Sequence, residues 1–533
     1  MRADATQKHP PFIRARTSAL APIAALLTLT ACTVGPDFQK PTWAAPTSWF
    51  AGPRQDVMKV STRAASTTRE TPVDVNWWAL FGDPKLTALE HRVAAENLDV
   101  KIAAARVAQS RDQLGIVQSA QFPTLDGNAS YVRQKASDNG IFVAIPSAAG
   151  ASGASGATTG GVQGKGVNAF DIYQGGFDAS WEIDLWGRIR RGVESATASS
   201  TAAEDAQRGV LLSMMAEVAR DYIQLRGVQA QLQIARDNVK IAQQSLSLTQ
   251  QRAAGGVTTD LDVANASAQL RATVAEIPVL QQQEAELINA MSFLLGQPPN
   301  ALRAELEVPN PVPPVPRDVP VGVPSELARR RPDIREAEAK LHAATADIGV
   351  AQADFYPTVT FNGSVGLQSL QWSHAFDLNS RQYAFGPGLT IPLFEGGRLR
   401  ATLHLREAQQ EEAALTYQKT VLQAWREVDD ALTAYQAQQA RREQLVQAVA
   451  DNRKALALAQ DRYAQGVSGF LDVLTAQRSL LQTQQELQRS TTQVSDNLVV
   501  LYKALGGGWE NDLPLQQADA AQAPPEQKLA AAP

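Results

Sequence analysis

A single cysteine, Cys32, leaves no possibility of a disulfide within the chain. No run of about 20 apolar residues occurs, so no helix is expected to span a membrane. The five histidines, His9, His91, His342, His374 and His404, are scattered, without metal-ligand spacing. There is no histidine-paired nucleophile and no phosphate loop of proper spacing, so no catalytic residue, cofactor or metal is expected and the chain is not read as an enzyme. A net charge of −5 gives no reason to expect nucleic acid. Aromatic residues are 6% and charged residues 19%, while Ala, Gln, Leu and Arg dominate the middle. A length of 533 residues ordinarily suggests several domains, but this balance suits long helices with narrow apolar stripes better than several compact cores.

The first segment reads as an address. Arg2, Lys8, Arg14 and Arg16 precede "SALAPIAALLTLTA", a basic region followed by a short apolar one. That stretch is too short to span a bilayer, and Pro22 weakens it further. It ends in "LTAC", small residues before a cysteine, which resembles a bacterial lipobox with cleavage before Cys32 and acylation of that residue. The alternative is an ordinary signal peptide that ends near a free cysteine. Thr33, rather than an aspartate, follows the cysteine, which resembles the outer-membrane sorting pattern.

The rest of the chain is written twice. "AARVAQSRDQLGIVQSAQFPTL" and "AKLHAATADIGVAQADFYPTV" align Gly115 with Gly349 and Pro123 with Pro357, an offset of 234. "LWGRIRRG" and "LFEGGRLRA" align Arg188 with Arg398 at an offset of 210. "QRAAGGVTTDLDVA" and "DRYAQGVSGFLDVL" keep that offset, aligning Arg252 with Arg462, Gly256 with Gly466 and Asp262 with Asp472. The 24-residue difference falls on "IPSAAGASGASGATTGGVQGKG", a Gly/Ala/Ser-rich loop. Its "GGVQGKG" lacks the spacing and the following Ser/Thr of a phosphate loop.

Each half reads as helix, strand, loop, strand, long helix, tip, helix. The strands alternate: Val359, Phe361, Val365 and Leu367 share a face, as do Tyr383, Phe385, Leu389, Ile391 and Leu393. Phe177, Trp181, Ile183 and Leu185 face away from Asp178, Glu182 and Asp184. Strands near ten residues with alternating faces suit a membrane β-barrel, and a soluble sheet is the alternative. Four strands cannot close a barrel, and lipid does not tolerate an open edge, so the chain must oligomerise. Two copies give eight strands and a filled interior; three give twelve and a pore. A tetramer satisfies the same requirement.

From Arg188 to Arg252, and from Arg398 to Arg462, is 64 residues, about 95 Å of continuous helix. A seven-residue step runs along the first arm through Val218, Leu225, Leu232, Val239 and Leu246. In the second it runs through Val428, Tyr435, Val449, Leu456 and Tyr463, with Arg442 interrupting. Such a repeat imposes left-handed coiled-coil packing with water on the remaining faces, as a hollow helical wall requires. Each arm turns at Gly256 or Gly466, where a glycine admits the positive φ that ends helices. Thr259 or Asp260 is a candidate cap for the first returning helix, and Ser468 for the second.

The expected organisation is a signal peptide over 1–31 and a lipidated segment over 32–76. The first repeat follows over 77–298, a Pro-rich linker over 299–324, the second repeat over 325–508 and a disordered tail over 509–533.

"CTVGPDFQKP", "WWALFGDPKLTALEHRVAAENLDVKIAAARV", "RRRPDIREAEAKLHAATADIGVAQADFYP" and the two tips resemble TolC/OprM-type outer-membrane efflux channels, and among them the NodT-type lipoproteins. The motifs cover nearly all of the chain from Cys32 to Trp509. The resemblance implies a mainly α fold with a membrane β-barrel: a long coiled-coil α-helical barrel plus four strands per chain, with a trimer closing twelve strands. It also implies a periplasmic adaptor and an inner-membrane transporter as partners, outer-membrane lipid around the barrel, and passive conduction of drugs or other small toxic molecules. A type I protein secretion channel is the alternative within this fold, and a pore-free coiled-coil lipoprotein the alternative outside it.

The resemblance places the periplasmic gate at Leu471, Asp472, Thr475, Tyr463 and Asp262, with Asp472 in an acidic ring, Leu471 at an apolar constriction and Asp262 accepting from Tyr463. Thr475 stands where a second acid is expected, and Ser468 where an arginine is. Like charges converging on one axis would raise one another's pKa and attract cations. A plainer role for Asp262 and Asp472 is to complement a helix N-terminus. The adaptor contact is placed at Gly256, Val257, Gly466 and Val467, where the glycines also serve the turns themselves.

Overall fold

The computed structural model describes residues 33–42, 46, 48–49, 66–135 and 169–510. The signal segment 1–31, Cys32, the Gly/Ala/Ser-rich insertion and the tail from 511 lie outside the described residues. The elements in chain order are β1 (Thr67–Arg69), α1 (Pro84–Glu96), α2 (Leu98–Ser119), β2 (Thr124–Gln134), β3 (Phe170–Ile183), α3 (Arg188–Ala254), α4 (Asp260–Leu294), β4 (Asp318–Pro320), α5 (Pro332–Ala353), β5 (Thr358–Ser369), β6 (Arg381–Thr390), α6 (Arg398–Ala464) and α7 (Phe470–Leu505). Two units arise: one from 1–38, 113–196 and 344–410, the other from 39–112, 197–343 and 411–533.

The first unit carries an antiparallel sheet in the order β2-β3-β5-β6. Its register lines up the odd-numbered residues across the strands. Phe177 lies opposite Val365, and Val365 opposite Tyr383. Trp181 lies opposite Phe361, and Ile183 opposite Val359, which faces Leu389. The even-numbered residues build the opposite face, with rows such as Asp126–Asp178–Ser364 and Thr124–Ser180–Asn362. Because side chains alternate along a strand, this parity yields one apolar and one polar face. The sequence pattern extended the last strand to Leu393, but β6 stops at Thr390, which pairs with Thr358, the first residue of β5, and has no partner strand beyond it among the described residues.

Where β3 hands over to α3, the segment after Cys32 is pinned. Val34 donates its amide to Trp186 O at 3.0 Å, and the Arg191 guanidinium holds Asp37 at 2.6 Å.

The second unit is helical, with β1 and β4 forming a short parallel pair. Trp77, Trp78, Phe81, Leu86 and Leu89 are buried with Tyr222, Tyr435, Leu498 and Tyr502 in its core. Asp83 starts α1 by accepting from the amides of Lys85 and Leu86 at 2.8 and 3.2 Å, and the Tyr222 hydroxyl donates to the same carboxylate at 2.7 Å. The Pro-rich stretch is held in place by polar contacts. Arg226, almost wholly buried, donates to the carbonyls of Leu306 and Val308 at 3.2 and 2.8 Å, and Ser495 donates to Pro313 O at 2.9 Å.

Helices α3 and α6 each run 67 residues, about 100 Å at 1.5 Å per residue. Toward the tip of α3 the seam departs from the apolar stripe. Val239 and Leu246 are half-buried, whereas Ala235, Asn238, Ala242, Ser245 and Thr249 are buried at alternating steps of three and four. These side chains are small or paired with polar partners on α7: Asn238 accompanies Gln484 at 3.0 Å, and Ser245 bonds Gln477. On α6, Arg442 keeps its place in the seam by donating to Thr491 at 3.1 Å.

Candidate functional site

The two tips share one backbone design. In the first, the amides of Gly256 and Val257 donate to the carbonyls of Ala253 and Arg252, both at 2.9 Å. In the second, Gly466 and Val467 donate to Tyr463 and Arg462 at 3.0 and 2.9 Å. The glycines take φ of 72° and 76°. This is the doubly bonded glycine terminus that satisfies the last carbonyls of a helix, and a residue with a Cβ is strained there.

The caps differ from the sequence reading. Thr259 occupies the cap of α4 but makes no side-chain bond to the helix, and the cap of α7 is Gly469 rather than Ser468. The Ser468 hydroxyl is buried without a hydrogen-bond partner. Acids in the first turns, Asp260 and Asp262 on α4 and Asp472 on α7, complement the exposed amides instead.

Leu471, Asp472 and Thr475 share an exposed side of α7, while Phe470, Val473, Leu474 and Gln477 are buried on the other. The Thr475 hydroxyl donates back to Leu471 O at 2.8 Å. Val257 and Val467 are 65% and 64% exposed. Tyr463 and Asp262 are not brought together within the chain: Asp262 accepts from the Thr258 hydroxyl, and the buried Tyr463 hydroxyl has no hydrogen-bond partner. Instead the Arg252 guanidinium lies over the Tyr463 ring, 4.6 Å from its centroid. Sequence reasoning did not single out Arg252 for this role. The signal was in the repeat, where Tyr463 has Ala253 as its counterpart and so only the second tip offers a ring.

The returning helix α7 is laced to its neighbours at heptad spacing. Arg478 donates to Gln269 at 2.8 Å, and Gln485 to Glu276 at 2.7 Å, seven residues on along both helices. The Asn238–Gln484 and Ser245–Gln477 pairs repeat the step on α3.

The apolar face of the sheet is uncovered, with Phe177, Val365, Tyr383, Phe385 and Leu389 between 57% and 73% exposed. Aromatic groups sit at both ends. At one, Tyr131 stacks on Tyr173 at 5.0 Å, and Trp372 meets Tyr173 at 5.4 Å. At the other, Trp186 stacks on Tyr356 at 4.7 Å. An apolar band between aromatic ends is the surface of a membrane barrel strand. No helix among the described residues is long and apolar enough to cross a membrane, and no group of metal-ligating side chains is found among them.

The family model for outer membrane efflux proteins matches residues 89–297 and 323–507. The chain belongs to the outer membrane efflux protein family. This efflux protein is 33% identical over 503 residues to the solvent efflux pump outer membrane protein SrpC of Pseudomonas putida, covering 92% of this chain and 98% of that one. It is 32% identical over 487 residues to the outer membrane protein OprJ of Pseudomonas aeruginosa, covering 91% and 94%. The solved structure of the outer-membrane channel OprN superposes with a TM-score of 0.79 at 33% identity, over 90% of this chain and all of that one. Long helices with a few strands are therefore the fold of outer-membrane efflux channels, and the family is one of channels rather than enzymes.

Proposed function

We propose that three copies of this chain close a twelve-stranded barrel in the outer membrane and continue it as a helical tunnel. The tunnel passively conducts small toxic molecules received from an inner-membrane transporter through a periplasmic adaptor. The observation that carries this reading is the four-stranded sheet, apolar on one face and polar on the other, with β2 and β6 each paired on one side only. An apolar face of this kind belongs against lipid, and open edges belong against further strands. The likeness to a protein named for solvent efflux supports the substrate class.

Leu471, Asp472 and Thr475 form the gate on the exposed side of α7, where threefold symmetry brings three Asp472 carboxylates to one axis. Val257 and Val467, beside Gly256 and Gly466, present exposed apolar side chains to the adaptor. Cys32 carries the lipid anchor. In support, Thr33 packs against Gly187, where a Cβ would come within 2.8 Å of it, at the end of the sheet.

Reconstitution into planar bilayers tests the duct. Purified protein should pass current in steps, and Asp472→Ala should raise the step or its open time. A protein that never conducts is a coiled-coil tether instead. A cysteine placed at Val467, whose side chain is exposed, and crosslinked in cells should capture the adaptor of a small-molecule pump; capture of the adaptor of an ATP-driven protein exporter would move the function to secretion. Labelled palmitate should enter the wild type and not Cys32→Ser, and a wild type that stays unlabelled has no acylated anchor.

A further inference from the structure

We propose that the outward rim of the sheet holds a phosphorylated saccharolipid of the outer leaflet, gripped between Arg381 of one copy and Arg133 of the next. The inference goes beyond the duct and rests on the three-copy closure proposed above.

The rim is the end of the sheet away from the helices. Strand β3 ends at Ile183 and passes to α3 at Arg188, and β5 begins at Thr358, just after α5. The opposite end holds Gln134, Phe170, Ser369 and Arg381. With the helices in the periplasm, that opposite end lies at the outer leaflet.

Two cations stand there on the face that meets lipid. Arg381 opens β6 opposite Leu367, and Tyr383 follows on the same face opposite Val365. Arg133 lies opposite Asp171, one step beyond the Tyr131–Tyr173 pair. A cation on the lipid face is costly at the bilayer midplane but costs little at the headgroup level, where it can meet an anion. The Arg381 side chain is exposed and forms no hydrogen bond or ion pair among the described residues. Arg133 meets Asp171 at 3.5 Å, yet its side chain is still 66% exposed. Asp171 is also taken by the Tyr131 hydroxyl at 3.0 Å, and Asp377, in the loop before β6, is bonded to His374 Nδ1 at 2.7 Å. These acids are engaged within the chain, and both guanidiniums keep donors for an outside partner.

Arg381 is the first residue of β6 and Arg133 the last but one of β2, the two strands at the open edges. Closure seats β6 of one copy beside β2 of the next, so each seam carries one guanidinium from either copy. Two such cations repel each other unless an anion lies between them. A planar guanidinium binds phosphate through paired N–H donors. An acylated disaccharide with two phosphates offers one anion to each guanidinium, and its chains extend over the exposed Tyr383 and Val365 below. Tyr131 and Trp372, 56% and 63% exposed, supply the rings that favour this depth.

Native mass spectrometry of the purified full chain in detergent reads the number of chains and the bound lipid in one spectrum. The probes are lipid A with both phosphates, the same lipid dephosphorylated, and phosphatidylglycerol. The wild type should be a trimer that takes up to three molecules of the bisphosphorylated lipid, one per seam. Arg381→Gln and Arg133→Gln should each weaken that binding about fivefold, the contribution of one basic residue at an anionic lipid surface, and the double variant about twenty-fivefold. Arg398→Gln, which removes a cation paired with Glu395 at the helix end of the sheet, should bind as the wild type. Equal binding of the dephosphorylated lipid would overturn the phosphate site, and equal binding of phosphatidylglycerol the saccharolipid assignment. A trimer whose lipid uptake is unmoved in the double variant overturns the site and leaves the duct reading standing. A particle that is not a trimer overturns the three-copy closure, and the shared seam with it.

Discussion

At the scale of single residues, Asp221 on α3 carries an unusual burden. Burial, reinforced by Glu217 one turn away and by Asp496 on α7, pushes its carboxyl up to about 6, against the opposing pull of Arg220. Arg220 itself is taken by Asp496 at 2.8 Å. A folded-state pKa above the unfolded one means that the folded protein holds more protons between the ordinary carboxylate range and about pH 6. Stability contributed by the neutral acid is present below that window and lost as pH rises through it. Asp221→Asn should therefore melt above the wild type at pH 7.5, by on the order of 1–3 °C, with the gap closing below about pH 4. Melting curves at the two pH values decide it: an equal gap at both would show that the ionised carboxylate is not what destabilises the wild type.

At the scale of elements, the sheet depends on two glycines that face each other. A Cβ on Gly176 would lie 2.6 Å from Val365 O and 2.8 Å from the Cα of Gly366, and one on Gly366 would lie 2.6 Å from Gly175 O. Strands β3 and β5 approach this closely because neither residue carries a side chain on the polar face. Gly366→Val should abolish a heat-resistant, membrane-inserted form, whereas Gly386→Val, with nothing within 4 Å of its new Cβ, should retain it. Equal survival of both in a gel-shift assay would show that the approach is not required.

The strands and tips were legible in the sequence because period-two alternation and the paired glycines leave few alternatives. The seam near the tip of α3 was only partly legible. A reading based on apolar spacing selects Val239 and Leu246, but Asn238, Ser245 and Thr249 are the buried ones. Their partners are glutamines on another helix or carbonyls of their own, and a single-helix pattern does not contain them. The same limit hid Arg252, since a cation over a ring two hundred residues away leaves no local signature, while Asp262, the acceptor expected for Tyr463, is taken by the Thr258 hydroxyl.

At the scale of the whole molecule, α6 keeps a side that its own chain leaves bare. Leu415 and Leu422 sit seven residues apart and are 59% and 51% exposed, the spacing of an unpartnered coiled-coil seam. Under the three-copy closure proposed above, this seam meets another copy. Leu415→Glu combined with Leu422→Glu should reduce the particle in sedimentation equilibrium from three chains to one, with helix content retained. A double variant that remains a trimer would place the interface elsewhere.

The two open strand edges also bear on inheritance. Under the three-copy closure proposed above, no single chain closes the barrel, so one subunit with a faulty edge would spoil the two sound ones beside it. In a cell expressing both forms, intact barrels then fall with the cube of the sound share. A damaged allele of this gene would then act dominantly.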